Sequence, residues 1–250
     1  MLLLTIMIDR IAPTKRPPGS PVGSQSWRNL LFLHWEVPAH ALAALLPREL
    51  TVDTFEGRAY VGVVPFTMRD VRVSWAPPVP TARHFHELNV RTYVHYQGRD
   101  PGVWFFSLDA ASSLAVIGAR AGFHLPYYRA TMDLDMTGAQ VHYKSCRRWP
   151  GPKPAELQAS YTIGDPIGAA EPGSFEHFLG ERYILYAQPM VGKLLLGQVH
   201  HTPYPLHRAT VSEVRESMVR AAGLPDPQGP PHLLYSPGVD VEIFGLRAIF

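Results

Sequence analysis

Between Phe85 and His95 the chain changes side-chain character at every step: Phe85-His86-Glu87-Leu88-Asn89-Val90-Arg91-Thr92-Tyr93-Val94-His95. An extended strand sends successive residues to opposite faces, so Glu87, Asn89, Arg91, Tyr93 and His95 share one side, neighbours roughly 6.8 Å apart. Leu88, Val90, Thr92 and Val94 take the other. The turn Gln97 to Gly102 leads into an aromatic strand, Val103 to Leu108. Five polar groups on one face, two of them oppositely charged, suit the lining of a pocket. The plainer alternative is a solvent-facing side of an amphipathic strand. Trp104 and Phe106 in the next strand make a wetted face less comfortable.

The rest of the chain repeats this style. Strands are predicted at Trp27–Val37, Thr51–Phe55, Ala59–Val64, Thr131–Asp135, Ala139–Ser145, Glu156–Ile163, Arg182–Ala187, Lys193–His200 and Val239–Phe250. Glu56-Gly57-Arg58 reads as a hairpin turn, and Pro65, which has no N–H for a ladder, as a bulge or an edge. Ser112 or Ser113 caps a helix running to about Gly122, kept slim by Ala115, Gly118, Ala119 and Gly122 and so able to lie close to a sheet. A longer amphipathic helix is predicted from Ser212 to Ala222, ending at Gly223. Many strands, few helices and no βαβ alternation predict a mainly β (α+β) fold, an antiparallel barrel or sandwich with helices attached. No Pro-rich segment divides it, so residues 1–26 are expected to form an arm and 27–250 a single domain. Trp75–Pro80 is expected to be a rigid loop, and the brief apolar start Met1–Ile8 a first strand or lead-in rather than a signal peptide.

Composition narrows the function classes. A net charge of +2 with no basic, aromatic-interleaved stripe argues against nucleic acid as a partner, and Lys144–Trp149 reads as a solvated strand end. No segment is long and apolar enough to span a bilayer, so no membrane partner is expected. The single cysteine, Cys146, cannot form an internal disulfide and fits a reducing cytoplasm. His84 and His86 can face the same way on a strand and His200-His201 adds a pair, but the spacing supplies no third ligand, so no metal and no cofactor is expected. The four lysines are equally unpromising as nucleophiles: Lys15 and Lys153 fall in Pro-rich loops, and Lys193 reads as a strand-end side chain. No G-x-S-x-G, P-loop or G-x-G-x-x-G signature is present.

Leu33-His34-Trp35-Glu36-Val37-Pro38, Leu50–Phe66, Phe85–Val94, Pro101–Arg120, Leu125–Ala130, Glu181–Tyr186 and His201–Leu206 together resemble the YqjF-like family, over nearly the whole chain. That family is placed by remote similarity with the acetoacetate decarboxylase-like superfamily. The resemblance implies a cone-like antiparallel β-barrel around a small-molecule cavity, with Glu87 similar to the superfamily's pocket glutamate. It departs at the nucleophile. Where acetoacetate decarboxylases carry a Schiff-base lysine after a Gly-Phe-Pro-like element, the similar stretch Gly118–Tyr128 ends in Tyr127 and Tyr128. A phenol cannot form an iminium, so the scaffold transfers and the decarboxylase chemistry does not.

Two functional classes follow. The first is a pocket for a small, anionic ligand such as a carboxylic acid, with Arg91 or Arg120 pairing the carboxylate, Tyr127 donating a hydrogen bond, and Asn89, Tyr93 and Trp104 lining the site. The second is a lysine-independent enzyme with Glu87 as general acid or base and Tyr127 or His124 as its partner. A metal-dependent enzyme built on His84 and His86 trails both. Homo-oligomerisation is left open by the sequence.

Overall fold

The alternating segment is a strand covered on both sides. In the computed structural model, which describes residues 8–74, 83–190 and 193–249, it runs from Phe85 to Tyr96. The apolar start through Met7 and the Trp75–Pro80 loop lie outside the described residues. In chain order the elements are β1 (Gly23–Val37), α1 (Ala39–Ala43), β2 (Leu50–Val52), β3 (Ala59–Val73), β4 (Phe85–Tyr96), β5 (Arg99–Ala110) and α2 (Ser113–Phe123). Then come β6 (Tyr127–Thr137), β7 (Gln140–Trp149), β8 (Glu156–Gly168), α3 (Phe175–Gly180), β9 (Ile184–Met190) and β10 (Lys193–His200). The last are β11 (Leu206–Glu216), α4 (Met218–Ala221), β12 (His232–Ile243) and β13 (Arg247–Ile249).

The strands form one 13-stranded sheet in the order β13-β10-β9-β5-β6-β7-β8-β11-β12-β1-β3-β4-β2. Two further pairings, β4 with β5 and β10 with β12, join strands that are distant in that order. Pairing therefore runs from β5 through β6, β7, β8, β11, β12, β1, β3 and β4 back to β5. Neighbours are antiparallel except where β5 meets β6 and β9. Leu88 and Val90 pack with Leu31, Leu33, Val61 and Val63 against Tyr143, Leu157 and Tyr161. On the other face Phe32, Val64 and Phe66 meet Tyr183, Val199, Tyr204 and Leu206. A solvent-facing side for β4 is therefore not what the fold provides: Glu87 is only 2% exposed and Arg91 only 8%.

Three local readings need correction or refinement. Residues 212–216, expected to open a helix, instead finish β11 and pair along β8; only Met218–Ala221 is helical, ending before Gly223 at φ +87°. The register slips by one residue between Val211 and Glu213, so Ser212 is an extra residue in the strand. That slip spaces the inward-packing Val211 and Val214 three apart, which mimics helical periodicity, and pairing with β8 decides the matter. Helix α2 forms as expected, with Ser112 capping Ala115 N at 3.3 Å. Its small residues serve no close approach, since a Cβ on Gly118 or Gly122 would meet nothing within 4 Å. Pro65 does mark a bulge: the β1–β3 register shifts beside it, where Asn29 adopts φ 54°.

β5 is tied to β7 across β6 by a buried ion pair. Arg147 donates to both Asp109 oxygens at 2.6–3.2 Å, and its guanidinium lies 4.0 Å from the centroid of the Tyr128 ring. The side chains are 1% and 0% exposed. Removing one partner of such a pair strands the other charge in a dry interior. Arg147→Met is expected to lose about 3–5 kcal/mol of unfolding free energy in urea titrations. The double change Asp109→Leu/Arg147→Met is expected to recover most of that; a double variant as unstable as the single one would contradict the assignment.

Candidate functional site

The inner side of β4 is organised across neighbouring strands. His34 of β1 pairs with Gly62 of β3, which pairs with Arg91 of β4. A Cβ on Gly62 would stand 2.9 Å from the His34 ring and 3.5 Å from Arg91 Cγ. The missing side chain is what lets an imidazole and an arginine close over one strand. His34 Nε2 lies 2.5 Å from the Tyr93 hydroxyl, which donates to the Leu179 carbonyl of α3 at 2.9 Å. Arg91 Nη2 donates to the same carbonyl at 3.0 Å, and its guanidinium sits 5.7 Å from the Phe32 ring centroid and 5.8 Å from that of Tyr93. Arg91 Nε is buried without a partner. Among the described residues no carboxylate forms an ion pair with Arg91.

Four residues earlier, the Glu87 carboxyl accepts a hydrogen bond from the Tyr127 hydroxyl at 3.0 Å. Tyr127 opens β6 opposite Leu108, which itself pairs with Asn89, so its side chain reaches back along the same inner face. Burial pushes the Glu87 acid up to about 8, with the nearby Asp109 charge adding to the shift and the Tyr127 bond opposing it. Burial likewise holds the Tyr127 phenol well above its ordinary range. Near neutral pH the pair is therefore a neutral acid beside a neutral phenol. Asn89, between Glu87 and Arg91, has a buried, unpartnered Oδ1.

Sequence reasoning named eight site residues, and the fold gathers five of them: Glu87, Asn89, Arg91, Tyr93 and Tyr127. The other three lie apart. Trp104, Arg120 and His124 line an open cleft of about 370 Å³ beside Phe106, Pro126 and Pro189. Arg120 Nη1 donates to the Tyr127 carbonyl at 2.7 Å, which commits it to the backbone. His124 is exposed in the left-handed region at the end of α2. His95, last of the alternating set, turns to the Gly98 amide at 2.9 Å. His84 and His86 also diverge: His86 Nδ1 meets the Thr67 hydroxyl at 3.0 Å, while His84 faces the Asp70 amide. No group of three or more His, Cys, Asp or Glu among the described residues is arranged to hold a metal.

Sequence reasoning did not assign the residues surrounding Arg91. His34 looked like one more member of a buried strand. Arg182 donates to Asp53 at 2.8 Å and to the Phe178 carbonyl at 2.7 Å, with its guanidinium 5.0 Å from the Tyr93 ring centroid. Arg10 pairs with the same Asp53. Glu181 accepts from the Tyr183 hydroxyl at 2.6 Å and the Tyr204 amide at 3.0 Å, and burial raises its acid. Arg10 and Arg182 thus share Asp53, while Arg91 has no carboxylate partner among the described residues. All four lysines are exposed. No helix among the described residues is long and apolar enough to cross a membrane.

This β-rich fold is one that small-molecule enzymes use. The biosynthetic enzyme MppR, solved in complex with pyruvate, superposes with a TM-score of 0.64 at 12% identity, covering 94% of this chain and 93% of its own. Acetoacetate decarboxylase from Legionella pneumophila superposes equally well, with TM-score 0.64, 12% identity and coverage of 97% and 94%. At that identity the likeness is one of fold. The chain belongs to the DUF2071 family, described as an uncharacterized conserved protein, whose model matches residues 24–240. YqjF of Bacillus subtilis (strain 168), described as an uncharacterized protein, is 40% identical over 234 residues, 92% of this chain and 94% of YqjF.

The raised Glu87 acid has a consequence for stability. In the unfolded chain it titrates near 4.5, in the folded chain near 8, so between those values the native state holds a proton that the unfolded state has released. Stability from this group is complete below about pH 4.5 and is lost as pH rises towards 8. The slope approaches about 1.4 kcal/mol per pH unit for one proton. Denaturation midpoints of the wild type, referenced to Glu87→Gln, are expected to fall from pH 5 to 8; parallel curves would contradict a neutral Glu87.

Proposed function

We propose that the inner face of β4 binds a small organic acid, with Arg91 holding its carboxylate. The observation that carries this reading is a guanidinium buried to 8% exposure with a free Nε and no acidic partner among the described residues. A buried cation without a counter-charge is costly, and an incoming carboxylate removes that cost by charge-assisted hydrogen bonds. Glu87, neutral and already accepting from Tyr127, has an acid O–H to offer the same ligand. The pyruvate complex of MppR puts a small carboxylate in a protein of this fold, which supports the ligand class. The ring of strand pairing fits the cone-like barrel of the acetoacetate decarboxylase-like type, with the site inside it. The single cysteine favours a cytoplasmic protein.

Schiff-base chemistry is not part of this reading. All four lysines are exposed, and Tyr127 meets Glu87 where an amine would be required. A second reading, in which the protein is an enzyme, rests on Glu87 itself. An acid near 8 exchanges protons readily at neutral pH, and Tyr127 is its partner; His124, on the outer cleft, is not. Proton exchange at the carbon beside a bound acid's carbonyl is then expected in D2O, followed by proton NMR and lost in Glu87→Gln. Exchange no faster than in buffer would leave a binding protein only.

Binding itself is checked by thermal shift with a panel of small carboxylates. Members that raise the wild-type Tm by several degrees at 100-fold excess over Kd are expected to leave Arg91→Met unmoved. Equal shifts in both proteins would make Arg91 structural and remove the anion site.

A further inference from the structure

The hydrogen-bond accounting around Arg91 goes further than a carboxylate. His201 Nδ1 lies 2.7 Å from the Thr202 carbonyl. A carbonyl only accepts, so Nδ1 carries the proton. In the neutral ring Nε2 is then a bare acceptor. It is buried, in a residue only 3% exposed, and has no partner. Burial lowers the ring's pKa to about 4, with the His200 and Arg91 charges contributing, so the neutral form persists at neutral pH. The ring is fixed in place: it stacks on Tyr183 at 4.3 Å and leans on Tyr204 at 4.6 Å. Tyr204 in turn meets Phe32, whose ring faces the Arg91 guanidinium.

His34 repeats the arrangement through a relay. The Tyr93 hydroxyl has one proton, and it goes to the Leu179 carbonyl. With the Tyr93 proton assigned to the Leu179 carbonyl, His34 Nε2 donates to the Tyr93 oxygen, which leaves Nδ1 as the bare acceptor. That nitrogen is also buried and unpartnered. Asn89 Oδ1 is a third such acceptor. His34, Asn89 and His201 thus each bring a buried acceptor without a donor to the neighbourhood of Arg91, a cationic donor without an anion. A simple carboxylate satisfies Arg91 and leaves the acceptors empty. An ammonium would be repelled by the Arg91 guanidinium.

We propose that the ligand is a hydroxylated organic acid: its carboxylate pairs with Arg91, and its hydroxyl hydrogens are read by His201 Nε2 and His34 Nδ1. The proposal rests on the acid-binding reading above and narrows it to a substrate class. His34 and His201 are then specificity-determining residues. A site built to accept from a hydroxyl discriminates strongly against the analogue that lacks it.

The test compares butyrate with 2-, 3- and 4-hydroxybutyrate by calorimetric titration of the wild type, His201→Phe and His34→Phe. Phenylalanine keeps an aromatic ring and removes the acceptor. At least one hydroxybutyrate is expected to bind the wild type on the order of tenfold or more tightly than butyrate. That ratio is expected to fall to within about threefold of unity in at least one variant, since one lost hydrogen bond accounts for the difference. Should one variant fail to fold, the other and the wild-type ratio still decide. Equal binding of butyrate and every hydroxybutyrate by the wild type, or a preference undiminished in the folded variants, overturns the proposal and leaves the acid site standing. No binding of any of the four acids, with Arg91→Met indistinguishable from the wild type in the wider carboxylate panel, removes both.

Discussion

A guanidinium taken out of water without a counter-charge sets the terms for the interior of this protein. Arg91 is reached by its neighbours only because Gly62 has no side chain, and it is held by the Leu179 carbonyl, the Tyr93 hydroxyl and two aromatic rings. Elsewhere the buried arginines have carboxylate partners. Arg147 grips both oxygens of Asp109, and Arg182 shares Asp53 with Arg10. Arg147 and Arg182 brace the sheet, whereas Arg91 keeps bonding capacity in reserve.

Spacing protects that reserve. Glu87 and Arg91 share a strand face four residues apart, roughly 13 Å between Cα atoms, and Asn89 stands between them. Closer together, the two would form an ion pair and each would lose its distinctive state. Apart, the carboxyl is driven neutral by burial and the guanidinium stays unpaired. Hydrogen bonds accepted by the carbonyls of Leu179 and Thr202 then fix which nitrogen of His34 and His201 is bare. The face so built offers one cationic donor, one acid O–H and several acceptors, a pattern that suits a small acid carrying hydroxyls.

Much of this was legible in the alternation of one strand. A period of two placed Glu87, Asn89, Arg91 and Tyr93 together, and the resemblance added Tyr127. Other features left weaker traces. The Leu179 carbonyl is backbone and leaves no side-chain signal. His34 lies in an apolar run, and its significance comes from a cross-strand row through Gly62. The Ser212 bulge turned strand alternation into apparent helical spacing, and only pairing with β8 resolves it. Arg120 and His124 are close in sequence to Tyr127, yet the left-handed turn at His124 and the parallel start of β6 leave them, with Trp104, on an outer cleft. Arg120 touches Tyr127 through its carbonyl, away from the Glu87 contact.

A crystal structure with a small carboxylate soaked to saturation tests the central claim most directly, because it compares the two places where an anion could settle. The account predicts the carboxylate within hydrogen-bond distance of Arg91, on the inner face shared with Asn89 and Glu87. Carboxylate density only in the outer cleft against Arg120 and His124, with no anion at Arg91, would contradict it.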